Sequence, residues 1–199
     1  MQKVGLASTA RHPRILEVGC GRGDNVYTFA ERGSHGAVGI DIVPDPSWCG
    51  MPGVPASFAR ATADALPFAE STFDAVYVKD TLHHVEDIPA VVSEIYRVVK
   101  PGGSLIVIEA NRYHPVSYFT MVRMRGHEHF TRPRFAQIVA ASPFGGSVTS
   151  TRQFEAHVIP VPWRWVRAVA EMCEDVFERV PLVKRASSYN LTVATKRSA

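Results

Sequence analysis

The chain has 199 residues and a net charge of +3, and hydrophobic and charged residues make up 46% and 21% of it. This length favours one domain with a sizeable core, and the composition is that of an ordinary globular protein. No stretch approaches the roughly 18 apolar residues of a membrane span, and the start lacks the apolar run of a signal peptide. Three widely spaced cysteines argue against a disulfide framework or a metal site. We therefore expect a cytoplasmic protein.

Short apolar strands alternate with helical segments through the first 110 residues. Asp87 stands where it can cap the second helix, and Gly33 follows the first one. The predicted strands are 14–18, 37–41, 58–65, 73–80 and 104–110, and the predicted helices are 24–33 and 87–103. Such alternation predicts a parallel sheet with helices on both of its faces.

The second part of the chain differs in charge and pattern. Residues 1–110 carry 9 Lys/Arg and 13 Asp/Glu, whereas residues 111–199 carry 13 and 6. The predicted elements there are helices at 115–126, 132–141 and 163–180 and strands at 150–160 and 188–196. The apolar stripe on helix 163–180 is interpreted as core, with a homodimer face or a membrane-surface face as alternatives.

A glycine-rich turn follows the first predicted strand, in the sequence LEVGCGRGDN from residue 16 to residue 25. Gly19 and Gly21 allow a ligand to approach the backbone closely at the start of a helix. Asp41 ends the next strand, where a carboxylate can accept both hydroxyls of a ribose. These features predict an adenosine-type ligand at the carboxyl ends of the strands.

Two cofactor classes remain at this point. Dinucleotide folds use the spacing G-x-G-x-x-G, with the start of the helix facing a pyrophosphate. Here the spacing is G-x-G-x-G, and Glu17 stands two residues before the first glycine. A carboxylate there would repel a pyrophosphate, but it suits S-adenosylmethionine, which carries an ammonium group and no phosphate.

Residues 14–109 closely resemble the class I S-adenosylmethionine-dependent methyltransferases, in the small-molecule branch. The segments that carry the resemblance are EVGCGRG, GIDIV, ATADALPFAESTFDAVYV, DTLHHVED and EIYRVVKPGGSLIVIE. The resemblance implies a Rossmann-like α/β fold with a seven-stranded, mostly parallel sheet, helices on both faces and an antiparallel last strand. The segment SYNLTVATK fits that last strand, and STRQFEAHV fits the one before it.

The resemblance also implies nine cofactor-binding residues. They are Glu17 for the methionine ammonium; Gly19, Cys20 and Gly21 beneath the methionine and ribose; Asp41 for the ribose hydroxyls; Ile42, Asp64 and Ala65 for the adenine; and Lys79, whose backbone lies near the methionine.

Two histidines follow the fourth predicted strand, on the side where an acceptor is expected. His83 or His84 can act as a general base, because imidazole titrates near neutral pH. The alternative is that one orients the loop and the other packs on the next helix.

The segment 110–152 is rich in arginine, with six arginines and Glu128 as its only acid. We interpret it as a helical lid inserted after the fifth strand, with a solvated helix face as the alternative. Arginine pairs well with carboxylate or phosphate oxygens, so an anionic acceptor is favoured over a nucleic acid. The candidate acceptor-binding residues are Arg123, Arg125, Arg132 and Arg134.

The sequence thus predicts a single methyltransferase domain with a cofactor-binding half at 14–109, the insert at 110–152 and a C-terminal part at 153–199. The expected reaction is methyl transfer from S-adenosylmethionine, which becomes S-adenosylhomocysteine, to an oxygen of an anionic or hydroxylated small molecule. The alternatives are a non-catalytic S-adenosylmethionine-binding subunit or sensor, a methyltransferase acting on RNA or protein, and a nucleotide-dependent oxidoreductase, which the glycine spacing opposes.

Overall fold

The computed structural model describes residues 12–50, 53–111, 132–145, 148–154 and 189–198. Strands and helices alternate through these residues. The elements are β1 (Arg14–Val18), α1 (Asp24–Glu31), β2 (Gly36–Asp41), β3 (Ala56–Arg60), β4 (Phe73–Lys79), α2 (Ile88–Val98), β5 (Val99–Ala110), α3 (Arg132–Ala141), β6 (Val148–Phe154) and β7 (Tyr189–Thr195), with short 3₁₀ helices at Pro46–Cys49 and Leu82–His84.

Within the described residues the strands form one seven-stranded sheet in the order β3-β2-β1-β4-β5-β7-β6. The pairs β3-β2, β2-β1, β1-β4 and β4-β5 are parallel. Only β7 runs the other way, since it pairs antiparallel with both β5 and β6. The predicted Rossmann-like sheet with an antiparallel last strand is confirmed.

The two faces of the sheet carry separate hydrophobic cores. Side chains alternate across a strand, so neighbouring residues of the central strands face opposite sides. On one face Val76 and Leu105 share a core with Ile95 of α2. On the other face Ile15 shares a core with Phe29 of α1. Helices on both faces are thus confirmed, and the carboxyl ends of β1, β2, β4 and β5 meet at one edge.

The predicted capping of α2 is confirmed, while two strand boundaries differ from the prediction. The Asp87 carboxylate accepts a hydrogen bond from the Ala90 N–H at 3.0 Å. The third predicted strand is present, but it spans Ala56–Arg60 rather than 58–65, and beyond it the Ala65 N–H turns back to the Thr62 carbonyl. β5 begins at Val99 rather than residue 104, since an irregular register carries pairing with β4 across the glycines.

The helix predicted at 132–141 is present as α3, and it contacts α2, β6 and β7. Val139 is buried, and the ring of Phe144 lies 4.9 Å from that of Tyr96, near the end of α2. Residues 132–145 therefore form a crossover onto the sheet, followed by β6. Residues 112–131 of the predicted insert lie outside the described residues, as do the predicted helices at 115–126 and 163–180.

Candidate functional site

The glycine turn after β1 is held against β2 and opens onto free space. Gly19 and Gly21 have φ angles of +71° and +50°, which L side chains rarely adopt. The N–H groups of Gly19 and Cys20 both donate to the Ile40 carbonyl at 2.9 Å. A Cβ built at Gly21 would meet nothing within 4 Å. The turn therefore presents bare backbone to a space that a ligand can occupy.

Glu17 lies next to this turn and is only 2% exposed. Its Oε1 accepts a 2.7 Å hydrogen bond from the Asn25 side chain at the start of α1. Its Oε2 is buried without a hydrogen-bond partner in the structure. Burial raises the pKa of this carboxyl to about 7, although Asn25 and the charge of Lys79 oppose the rise. A buried acceptor atom of this kind is costly unless a cationic or hydrogen-bonding group meets it.

Asp41 ends β2 and ties its carboxylate to the glycine turn. Its Oδ2 accepts from the Gly21 N–H at 2.9 Å, and its Oδ1 accepts from the Val43 N–H at 3.1 Å. Each oxygen keeps a second lone pair for a ligand hydroxyl. The Trp48 indole N–H donates to the Gly21 carbonyl at 2.8 Å, so the same glycine is held from both sides.

The predicted adenine-binding residues surround the same edge of the sheet. Ile42 follows Asp41 and is 60% exposed, which leaves an apolar surface for a flat ring. Asp64 and Ala65 lie exposed in the turn after β3. The Ala65 N–H makes only a long 3.4 Å bond to Thr62. The Ala61 N–H donates to the Asp41 carbonyl at 3.1 Å, so the segment that leads to Asp64 and Ala65 starts beside the end of β2. The roles of Ile42, Asp64 and Ala65 toward an adenine stay predictions.

Two α2 side chains hold the loop that follows this turn. The Arg97 guanidinium donates to the carbonyls of Phe68 and Leu66 at 2.7 and 3.0 Å. The Glu94 carboxylate accepts from the Leu66 N–H at 3.0 Å and pairs with Arg97 at 2.8 Å. The position of Asp64 and Ala65 thus depends on a pair about 30 residues away, with sequence separations of 28 to 31 along these bonds.

The loop after β4 is organised by Glu109, near the end of β5. Its Oε1 accepts from the backbone N–H groups of Thr81 and Leu82 at 2.9 and 2.6 Å, and its Oε2 lies 2.8 Å from His83 Nδ1. The His83 and Glu109 side chains are 8% and 2% exposed. His84 is exposed, and its ring centroid lies 4.0 Å from that of His83.

Lys79 is the last residue of β4, and Asp80 follows it at the start of the same loop. Asp80 has a φ of +49°, and its Oδ1 is buried without a hydrogen-bond partner in the structure. The Tyr189 hydroxyl donates to its Oδ2 at 3.4 Å. Burial and the nearby Glu109 charge raise the pKa of Asp80. The Lys79 ammonium lies 5.8 Å from the centre of the Tyr189 ring, and the Lys79 carbonyl accepts from Thr81.

The remaining predicted site residues are Cys20 and the four arginines of the insert. Cys20 is buried, and desolvation raises the pKa of its thiol to about 12, which excludes a thiolate nucleophile. Arg132 and Arg134 lie in the first turn of α3, and their role toward an acceptor stays a prediction. Arg123 and Arg125 lie outside the described residues.

Two features are absent from the part of the chain that the structure describes. No group of three or more His, Cys, Asp or Glu side chains in that part of the chain has the arrangement of a metal site. In the same residues, no helix has the length and apolar character needed to span a membrane.

The fold and site together define a class of protein: an α/β domain that holds an adenosyl group bearing a cation at the carboxyl edge of its sheet. Comparison with known proteins agrees. Residues 16–107 match the family model described as "Methyltransferase domain". This matched part of the chain is a class I S-adenosylmethionine-dependent methyltransferase domain of the type 11 branch.

Two curated relatives and one solved structure illustrate the likeness. The chain is 30% identical to the 2-methyl-6-phytyl-1,4-hydroquinone methyltransferase of Synechocystis sp. over 80% of this chain and 52% of the relative. It is 36% identical to the demethylmenaquinone methyltransferase of Roseiflexus castenholzii over 55% of this chain and 48% of the relative. This chain thus spans about half the length of these curated relatives.

Among solved structures, an S-adenosylmethionine-dependent methyltransferase from Mesorhizobium loti superimposes with a TM-score of 0.70 at 16% identity. The superposition covers 98% of this chain and 94% of that one. At this identity the likeness establishes the shared fold.

The residues present fit the cofactor of this family, S-adenosylmethionine. The buried Oε2 of Glu17 lacks a hydrogen-bond donor, which the methionine ammonium supplies. The free space at Gly21 adjoins the Asp41 carboxylate, whose second lone pairs suit ribose hydroxyls. No phosphate-binding cation is needed in this arrangement, in agreement with the glycine spacing.

The sequence interpretation missed Glu109, Asp80 and Thr81. Asp80 and Glu109 are acids at the ends of adjacent parallel strands, β4 and β5, and such ends meet at one edge of the sheet. That rule could have singled them out. The contact of Thr81 with the glycine turn carries no signal in the sequence.

Proposed function

We propose that the chain transfers the methyl group of S-adenosylmethionine to a hydroxyl group of a small-molecule acceptor. The observation that carries this proposal is the unpartnered Oε2 of Glu17 beside an open glycine turn, because it calls for a cationic ligand group at that place. The names of the two relatives, which refer to a hydroquinone and to demethylmenaquinone, support a small-molecule acceptor.

In the proposed mechanism the protein positions two reactants and moves one proton. S-adenosylmethionine supplies an activated methyl group on its sulfonium. Glu17 and Asp41 orient the two ends of the cofactor, and this positioning lowers the entropic part of the barrier. The acceptor would lie on the side of His83 and His84, one of which would accept the hydroxyl proton. The methyl group would pass from the sulfonium sulfur to the acceptor oxygen, which would leave S-adenosylhomocysteine.

An anionic group elsewhere on the acceptor would be bound by the arginines of the insert. Arg132 and Arg134, in the first turn of α3, are two of the candidates. Arg123 and Arg125 are the other candidates. In this extension, changing each of the four singly to alanine raises the acceptor KM or lowers kcat in at least one variant, while cofactor affinity stays unchanged.

Binding and turnover test the proposal separately. Calorimetry should detect binding of S-adenosylmethionine and S-adenosylhomocysteine and much weaker binding of NAD. Labelled S-adenosylmethionine should then transfer its methyl group to a member of a panel of hydroquinones, catechols, hydroxylated carboxylates and phosphorylated amines. Binding without turnover on any acceptor would favour a cofactor-binding subunit or sensor, and tight NAD binding without S-adenosylhomocysteine binding would overturn the proposal.

A further inference from the structure

The Glu109 carboxylate binds three consecutive residues of the loop that follows β4. It receives two consecutive backbone N–H groups of the 81–82 turn on one oxygen and His83 Nδ1 on the other. It is 2% exposed, so these bonds are sheltered from water. Hydrogen bonds to a buried charged group are among the stronger ones in proteins.

The 81–82 turn, which Glu109 holds, also contacts the glycine turn that follows β1. The Thr81 hydroxyl donates to the Lys79 carbonyl at 2.8 Å and lies 3.3 Å from the Val18 carbonyl. A Cβ built at Gly19 would collide with the Thr81 side chain. Thr81 therefore fills the space behind the glycine turn, and its own position follows from the Glu109 bond to its N–H.

The second oxygen of Glu109 determines how His83 is held. A carboxylate at 2.8 Å accepts only from a protonated ring nitrogen, so His83 carries a hydrogen on Nδ1. Among the described residues, the ionisable groups that face His83 include Glu109 from β5, Asp80 from its own loop and the neighbouring His84 ring. Burial opposes protonation of His83, but the Glu109 bond and the two carboxylate charges outweigh it and raise the pKa of His83.

We infer that Glu109 is a positioning residue that couples the two halves of the site: through Thr81 it fixes the glycine turn that receives the cofactor, and through His83 it orients the proton-accepting side. This inference rests on the proposed function, since it deepens the roles of the glycine turn and of His83. Glu109 itself contacts neither reactant.

Two substitutions separate the two effects of Glu109. Glu109→Gln keeps an oxygen that can accept from Thr81 and Leu82, but it removes the charge and places an amide beside His83. Glu109→Ala removes both sets of bonds. The matched control is Glu86→Gln, because Glu86 is an exposed acid in the loop that follows His84.

Nitrogen-15 NMR of the histidine side chains measures the tautomer and the pKa of His83, and the experiment needs no acceptor. The variant His83→Gln assigns the His83 signals. In the wild type and in Glu86→Gln, His83 should be protonated on Nδ1 and should titrate above its ordinary range. In Glu109→Gln the pKa should fall by at least one unit and the tautomer preference should be lost. An unchanged pKa and tautomer in that variant would overturn the orienting role.

Calorimetry with S-adenosylhomocysteine tests whether Glu109 also fixes the glycine turn that receives the cofactor. Glu109→Gln should bind within about threefold of the wild type, whereas Glu109→Ala should bind at least about tenfold more weakly, a change equivalent to about 1.4 kcal/mol. If Glu109→Ala does not fold, as judged by circular dichroism, Thr81→Ala takes its place with the same expectation. Wild-type affinity in the folded variant would overturn the coupling.

A wild-type chain that does not bind S-adenosylhomocysteine would contradict the proposed function and, with it, the cofactor half of the coupling. The NMR comparison would still decide whether Glu109 orients His83.

Discussion

Two glutamates at the same edge of the sheet are equally buried and differently paired. Glu17 and Glu109 are both 2% exposed, and each is the second-last residue of its strand. Glu109 receives three hydrogen-bond donors from one loop. Glu17 receives one, from Asn25, and keeps a buried oxygen without a partner.

A buried glutamate can either stabilise the fold or bind a ligand, depending on whether its oxygens already have hydrogen-bond donors. A buried carboxylate whose oxygens are all satisfied stabilises the loop it holds. A buried carboxylate with an unsatisfied oxygen costs the apo protein free energy, because its desolvation is not offset. That cost is recovered when a cationic ligand arrives, so the unsatisfied group is the one that points to a binding site.

The largest expected effect is on cofactor binding in the charge-neutral variants of the two glutamates. Glu17→Gln should weaken S-adenosylhomocysteine binding on the order of 100-fold, because a hydrogen bond to a charged group contributes about 1.5–3 kcal/mol. Glu109→Gln should change it little. Calorimetry on both variants measures the contrast, and similar losses in the two would remove the distinction drawn between them.

The same two variants should shift stability in opposite directions. The pKa of Glu17 is raised from 4.5 to about 7, so its native state binds the proton more tightly than the unfolded chain does. Glu17 therefore lowers the free energy of unfolding as pH rises from about 4.5 to about 7, by up to about 3 kcal/mol. At pH 8 without cofactor, Glu17→Gln should be more stable than the wild type by about 1–3 kcal/mol.

For Glu109→Gln the sign is reversed. The pKa of His83 is raised, so its pairing with Glu109 contributes stability that is fully present below about pH 6.5 and is lost as pH rises through the folded-state pKa. Glu109→Gln should therefore be destabilised, and more at pH 6 than at pH 9. Urea unfolding of the cofactor-free proteins at pH 6, 8 and 9 measures the change in the free energy of unfolding for both variants. A destabilised Glu17→Gln at pH 8 would contradict the account of the unpaired Glu17 oxygen.

The pH dependence of cofactor affinity is a further test of the difference between Glu17 and Glu109. Below its pKa of about 7, Glu17 is protonated in the apo protein and must lose that proton to meet an ammonium. The dissociation constant of S-adenosylhomocysteine should therefore rise by about tenfold between pH 8 and pH 6. Glu17→Gln should flatten this profile and Glu109→Gln should keep it. A flat wild-type profile would mean that Glu17 does not receive the cation.

Asp41 tests whether the ligand beside Glu17 is an adenosyl group. Asp41→Ala should weaken S-adenosylhomocysteine binding by at least about tenfold, or about 1.4 kcal/mol, because it removes acceptors for both ribose hydroxyls. Glu31→Gln, an exposed acid at the end of α1, is the control. Homocysteine lacks a ribose, so its binding should not distinguish Asp41→Ala from the control.

The smallest effect is expected at Arg97, which acts at a distance. Arg97→Ala removes the two bonds to the loop after Asp64 and Ala65, and S-adenosylhomocysteine affinity should fall by about threefold, since exposed pairs contribute less than about 1 kcal/mol. Arg97→Lys should restore part of the loss. No change for Arg97→Ala would show that the adenine-side loop holds its position without α2.

Much of the fold and of the cofactor side follows from local sequence. β1, α3 and the cap of α2 agree with their predictions because apolar spacing, glycine and capping residues act over a few positions. The glycine turn, Glu17 and Asp41 were found for the same reason, since closely spaced motifs carry them. The third strand was misplaced because its end depends on pairing with β2, which local propensity does not encode.

The order of the elements, the glycine turn and the type of cofactor follow from the sequence alone, because short-range patterns of apolar spacing and closely spaced motifs carry them. Only the tertiary structure decided which carboxylate is satisfied. Glu109 meets Thr81 across 28 residues and His83 across 26, while Glu17 finds a single donor on α1. Hydrogen-bond satisfaction of a buried group depends on neighbours that the sheet brings together from distant segments, and no local pattern records it.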